Sequence, residues 1–203
     1  MEERLARIVI GAIQGRSGKT TFTIGLLRAM KNQGYRVQPF KKGPDYIDPS
    51  WATMASGVQS RNLDMFMTSE TKIRESLMSH SHGAHLAVIE GAMGLFDGFD
   101  VQGSNSTAEL AYITKSPVIL VVNGQRITRS VAALVQGVVN FDPRLSIGGV
   151  ILNQVARARH ENIMRSALEY YTDVKVLGAL PKAKEVEIPD RHLGLIPAGE
   201  RVA

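Results

Sequence analysis

The chain has 203 residues, 44% hydrophobic and 21% charged, the composition of a globular domain large enough to bury its own core. It contains no cysteine, which excludes disulfides, zinc–thiolate and iron–sulfur sites, and any cysteine nucleophile within these residues. Lys and Arg number 24 against 19 Asp and Glu, a net charge of +5 spread without a long basic run; no nucleic acid is expected as a partner, and an anionic small molecule suits the charge.

In chain order, a β-branched run over 7–13 predicts a strand. A helix is predicted over 20–33, with Thr23, Leu26, Leu27 and Met30 on one face and Gly34 as its stop. Further strands are predicted over 37–40, 86–90, 117–123, 147–154 and 174–180, and helices over 69–80, 106–115, 129–140 and 158–171. The strands are continuously apolar, as strands buried on both faces of a parallel sheet are. Their alternation with helices predicts a doubly wound α/β fold, mostly parallel, with helices on both faces. The segment after Lys182 is loop-rich. No apolar stretch is long enough for a membrane span, and the acidic first residues do not resemble a secretory leader. No membrane partner and a cytoplasmic location are therefore expected.

The strongest chemical signal is Gly15-Arg16-Ser17-Gly18-Lys19-Thr20, after a predicted strand and at the start of a predicted helix. In that setting backbone N–H groups and the helix N-terminus converge on phosphate. Gly15, Arg16, Ser17, Gly18, Lys19, Thr20 and Thr21 are the expected nucleotide-binding residues. Lys19 would pair with the β- and γ-phosphates of ATP, and the Thr20 hydroxyl would meet Mg²⁺. The strict G-x-x-x-x-G-K-T motif would place its first glycine at position 13, where this chain has Ile13. Gln14 stands where many switch ATPases carry a second lysine.

Acidic groups cluster twice. Glu90 ends a predicted apolar strand and is followed by Gly91-Ala92-Met93-Gly94, a placement that suits nucleotide-bound Mg²⁺. Asp97 follows in a Leu95-Phe96-Asp97-Gly98 turn. The run Lys41-Lys42-Gly43-Pro44-Asp45-Tyr46-Ile47-Asp48-Pro49 reads as a proline-stiffened loop at the same sheet edge. Its lysines suit phosphate or carboxylate, and its aspartates suit Mg²⁺ or a substrate group. Asn153 is either a strand-end cap or a contact to a base edge. His80, His82 and His85 lack a clearly paired carboxylate and make a weak metal site. Met65 and Met67, beside Phe66, read as packing residues.

The phosphate loop, KKGPDYIDP, SRNLDMFM (60–67), EGAMGLFDG (90–98), GGVILNQV (148–155) and PDRHLGL (189–195) together resemble the cobyrinic acid a,c-diamide synthase family, and its nickel-sirohydrochlorin counterpart, over nearly the whole chain. The resemblance implies the dethiobiotin-synthetase-like branch of the phosphate-loop NTPase fold. Residues 1–203 would form a single ATP-binding synthetase domain, ending where the family's C-terminal glutaminase-like domain begins. It implies ATP-dependent amidation of the a and c acetates of a tetrapyrrole through an acyl phosphate, with ammonia as the nitrogen donor, released from glutamine by that second domain. Carried onto this sequence, Lys41, Asp45, Asp48, Glu90 and Asp97 would be catalytic, and Thr20, Asp45 and Glu90 would hold Mg²⁺. Tyr46 and Ile47 would touch the tetrapyrrole, and Asn153 with the backbone at Leu180-Pro181 would hold adenine. Asn123 and Arg16 depart from the family, which often has aspartate and a small residue at these places. The competing reading is a nucleotide-dependent switch of the partition or septum-site type; Gln14 and the GPDYIDP segment favour the ligase. A homodimer is compatible with either.

Overall fold

Apolar side chains alternate between the two faces of one central sheet, and both faces are covered. The computed structural model describes residues 5–183, 190–191 and 194–195. The first half runs β1 (Arg7–Ala12), α1 (Lys19–Asn32), β2 (Val37–Lys42), α2 (Ile47–Ser56), β3 (Arg61–Leu63), α3 (Glu70–His80) and β4 (Leu86–Glu90). The second runs α4 (Thr107–Ile113), β5 (Val118–Asn123), α5 (Ser130–Phe141), β6 (Ile147–Val155), α6 (Ala158–Tyr171) and β7 (Val176–Pro181). A further short pair, β8 (Asp190–Arg191) and β9 (Gly194–Leu195), is antiparallel. The rest of the PDRHLGL segment, including Pro189 and His192, lies outside the described residues.

The main sheet has seven strands in the order β3-β2-β4-β1-β5-β6-β7, and every neighbouring pair is parallel. Phe40, Ile89, Leu120 and Leu152 point to one face, where Ile73, Leu77, Leu110, Val135, Met164 and Leu168 of α3 to α6 close over them. Ile10, Val88, Val121 and Ile151 point to the other face, where Leu27 of α1 and Ala52 and Ala55 of α2 pack. β1 lies between β4 and β5, where the chain's progress across the sheet reverses. In open parallel sheets the crevice at the carboxyl ends beside such a reversal takes the ligand. Among the described residues no helix is long and apolar enough to cross a membrane.

Besides adding the short strands β3, β8 and β9, the structure extends the expectations in two places. β2 runs on to Lys42, because both lysines stay in the ladder and send their ammonium groups to opposite faces. The GPDYIDP segment is not all loop: α2 starts at Ile47. Pro49 is the third residue of that helix, in the first turn, where a missing N–H leaves no helical hydrogen bond unmade. The backbone N–H groups of Ile47 and Asp48 donate instead to Asp45 Oδ1, at 2.9 and 3.1 Å.

Leu120 is fully enclosed on a central strand. Leu120→Ala should cost about 3 kcal/mol of stability, read as a lowered urea midpoint; a loss below about 1 kcal/mol would contradict this packing.

Candidate functional site

The loop after β1 is shaped by two residues in the left-handed region, Arg16 (φ 56°) and Gly18 (φ 89°). Gly18 is required twice over. Besides its φ, a Cβ there would collide with Asn153 Nδ2. Arg16 pays a conformational penalty that glycine would not, which is the physical sense of a small residue at that place. The buried Ser17 hydroxyl donates to the Gln14 carbonyl at 2.8 Å, and Asn153 Nδ2 donates to the Ser17 carbonyl at 2.9 Å. Lys19 is buried and donates from Nζ to the Met93 carbonyl at 2.6 Å. Burial, then the neighbouring Lys41 cation, lowers its pKa against the smaller pull of Glu90, Asp48 and Asp97. A carbonyl holds this ammonium without neutralising it, so the charge is available to an anion.

Beside the loop, side chains from four elements meet at one ammonium. Lys41 Nζ lies 2.5 Å from Asp48 Oδ2 and 2.9 Å from Glu90 Oε1, and donates to the Gly91 carbonyl at 3.2 Å. The Thr20 hydroxyl, at the start of α1, is 2.5 Å from Glu90 Oε1 and 3.3 Å from Asp48 Oδ2. The parallel register sets Lys41 directly opposite Glu90, so the pairing is built into the strand alignment. Burial works against the Lys41 charge, but Glu90 and Asp48 outweigh it and raise its pKa. Burial pushes Glu90 up, Lys41 pulls it back, and Asp48 pushes it further.

The remaining predicted residues fall around this centre. Asp45 stands partly aside: Oδ1 caps α2 and Oδ2 is 4.0 Å from Lys41, so the oxygens gathered at the centre are those of Thr20, Asp48 and Glu90. Asp97 Oδ2 accepts from the Gly94 N–H at 2.9 Å and holds the turn over Lys19. Tyr46 is exposed at the rim, with Ile47 half-buried behind it. Gly15 is exposed, and Thr21 is half-buried on the first turn of α1. Pro181 ends β7 at the same sheet edge. The Asn153 amide N–H serves the phosphate loop. Asn123 Oδ1 accepts from the Gln125 N–H at 2.9 Å, a turn role. Among the described residues no three His, Asp or Glu side chains form a metal cluster.

Three features were missed from sequence. Thr107 is buried and both accepts from the Ala92 N–H and donates to the Ala92 carbonyl, at 3.1 and 3.0 Å, fixing the strand-end turn after Glu90. A helix-starting Ser106-Thr107 after a glycine-rich loop is the only sequence sign of it. Lys42 is buried on the face opposite Lys41. The expected packing role holds for Met65 but not for Met67, which is exposed, as is Phe66 beside it.

Residues 8–196 match the CobQ/CobB/MinD/ParA nucleotide binding domain family. The chain belongs to that family. Its members are nucleotide-binding domains. Over 201 residues the chain is 47% identical to the cobyrinate a,c-diamide synthase of Magnetococcus marinus, covering 99% of this chain and 43% of that protein. It is 49% identical to the enzyme of the same name from Listeria monocytogenes, over 96% of this chain and 43% of that one. The hydrogenobyrinate a,c-diamide synthase of Streptomyces coelicolor is 46% identical, over 96% and 40%. The chain therefore spans less than half the length of these relatives. Among solved structures, chloroplast FtsY from Physcomitrella patens matches with a TM-score of 0.62 at 12% identity, over 92% of this chain and 61% of that one. The hydrogenase maturation factor HypB from Archaeoglobus fulgidus matches with 0.56 at 15%, over 87% and 81%. These likenesses show the phosphate-loop NTPase fold expected from the sequence.

Asn153→Ala tests whether this amide supports the loop or reads the base. Loop support predicts that ATP and inorganic tripolyphosphate both bind about fivefold more weakly by calorimetry. Weakening of ATP alone would assign Asn153 to adenine.

Proposed function

We propose that this chain is the ATP-dependent synthetase part of a cobyrinate-type a,c-diamide synthase, acting in the cytoplasm. The observation that carries the reading is the junction of the GPDYIDP segment with the phosphate loop: Thr20, Asp48, Glu90 and Lys41 share one hydrogen-bonded centre. A switch needs a nucleotide site alone. A ligase needs a second acidic substrate brought against the γ-phosphate, and the exposed Tyr46 before α2 would receive it. The similarity to diamide synthases supports the same choice.

The chemistry follows from the charges. A carboxylate is a poor acyl electrophile because its oxygen leaves badly. In the proposed reaction a substrate carboxylate oxygen attacks the γ-phosphorus of ATP and ADP leaves; ammonia then attacks the acyl carbon, loses a proton and expels phosphate. Lys19 would neutralise the transferring phosphoryl group, and Lys41 would hold Asp48 and Glu90 in place beside it. The elements bearing Thr20, Asp48 and Glu90 hold these groups in line. A hydroxyl and two carboxylates are a hard oxygen set that fits Mg²⁺, which would supply charge neutralisation on the phosphates. With no cysteine, this chain would use free ammonia and not hydrolyse glutamine. We assign glutamine hydrolysis to the further length of the relatives.

Mass spectrometry of cobyrinate incubated with the chain, Mg-ATP and either ammonium or glutamine tests the reading. Amides with ammonium and none with glutamine are expected; glutamine-supported amidation by this chain alone would contradict it. Glu90→Gln should keep ATP affinity within a few-fold while lowering turnover about a hundredfold. Turnover close to that of the unaltered chain would reduce Glu90 to a strand-end residue.

A further inference from the structure

An open groove along α6 belongs to no part of the site described above. Its volume is about 690 Å³. Arg129, where α5 begins, and Arg159, in the first turn of α6, line one end of it. Tyr170 and Tyr171, at the close of α6, line the other, and Asn162, Ile163, Ser166 and Ala167 lie between. Tyr170 is 82% exposed, with its ring edge-on to Tyr171 at a centroid distance of 4.7 Å. One end of the groove is therefore cationic and the other aromatic.

The charges at the two ends of α6 oppose its own dipole. Arg157 is the N-cap residue and Arg159 follows in the first turn, at the end that is already positive; Glu169 lies in the last turn, at the end that is already negative. Glu161 is the acidic residue of the first turn, and Arg165 takes it up at 2.6 Å. The neighbouring α5 carries no charged residue over its 12 positions and offers no counter-ion. Among the described residues Arg129, Arg157, Arg159 and Glu169 make no side-chain hydrogen bond or ion pair. This order of charges costs stability in a helix standing alone. It becomes favourable when a second α6 lies antiparallel to the first, because each basic end then meets an acidic one.

We propose that this groove is the interface of a homodimer, in which α6 of one copy crosses α6 of the other antiparallel, about a two-fold axis through the middle of the helix. A two-fold interface must be complementary to itself, and this surface is. Residues equidistant from the midpoint of Ala158–Tyr171 face one another across the axis: Arg159 meets Tyr170 of the other copy, and Ile163 meets Ser166. Any helical face has that symmetry of position; a cation at one end and an aromatic ring at the other give it chemical sense. Tyr170 of each copy covers the Arg159 guanidinium of the other, a cation–π contact formed twice, and Glu169 comes to the same basic end. Ser166 and Ala167 are small, so the two helices can approach closely. α1 and α2 pack on the opposite face of the sheet, which leaves both phosphate loops open in the dimer. The proposal does not depend on the function proposed above.

The test is sedimentation velocity over a concentration series reaching about 100 μM, where the unaltered chain should run at twice its own mass. Tyr170→Ser and Arg159→Ser each remove both copies of the contact and should weaken the dimer about tenfold, with Mg-ATP affinity unchanged. Exchanging the two residues, Arg159→Tyr with Tyr170→Arg, keeps the contact and should restore the dimer. The chain has no cysteine, so Ser166→Cys gives it a single thiol beside the axis. Mild oxidation should link Ser166→Cys chains in pairs and leave Tyr35→Cys, on the exposed turn after α1, unlinked. A chain that stays monomeric overturns the proposal and gives the groove to the further length of the relatives. A dimer that neither serine variant weakens, or that links Tyr35→Cys as readily as Ser166→Cys, has its interface elsewhere and overturns it as well.

Discussion

A buried ammonium shared by two carboxylates is the constraint on which this structure turns. Lys41 comes from β2, Glu90 from β4, Asp48 from α2, and the hydroxyl that joins them from α1. Removing one member of such a group leaves charge stranded where water cannot reach it, at a cost of several kcal/mol. The arrangement therefore fixes the register of β2 against β4 and the position of α2 against α1. It also means that the polar centre is in place before any ligand arrives.

The same group explains why phosphate chemistry sits at this edge. Lys41 lies close enough to Lys19 to lower its tendency to hold a proton, and each ammonium is held by a different device: a backbone carbonyl for Lys19, two carboxylates for Lys41. An anion entering beside Lys19 meets a charge that its carbonyl partner does not neutralise. Loop supports contribute rigidity from outside the first contacts. Asn153 ties the phosphate loop to β6, and Thr107 ties the turn after Glu90 to α4. Preorganised donors of this kind lower a barrier because they need not reorganise as charge moves.

Much of this was legible in the sequence. Continuous apolar runs identified the long strands, since burial on both faces leaves little freedom in composition. Glycine and lysine before a helix identified the phosphate loop. What escaped did so for local physical reasons. Lys41 and Lys42 looked like the end of a strand because lysines seldom continue one inside a sheet; paired carboxylates on one face and an enclosed stem on the other make it tolerable here. α2 was hidden by Pro44 and Pro49, although proline in a first helical turn is harmless and Asp45 supplies the cap. β3 has only three residues and no pattern long enough to read. The Asn153 partner is 136 residues away, and no spacing rule reaches that far.

The account stands on one chemical claim, that the edge of this sheet brings a substrate carboxylate to the γ-phosphate of ATP. Oxygen-18 placed in the carboxylates of cobyrinate tests it directly. With Mg-ATP and ammonium, each amide formed should deliver one labelled oxygen atom to inorganic phosphate, because the oxygen that attacks phosphorus leaves with it. Amide formation with the label released to water, and none in phosphate, would contradict the account.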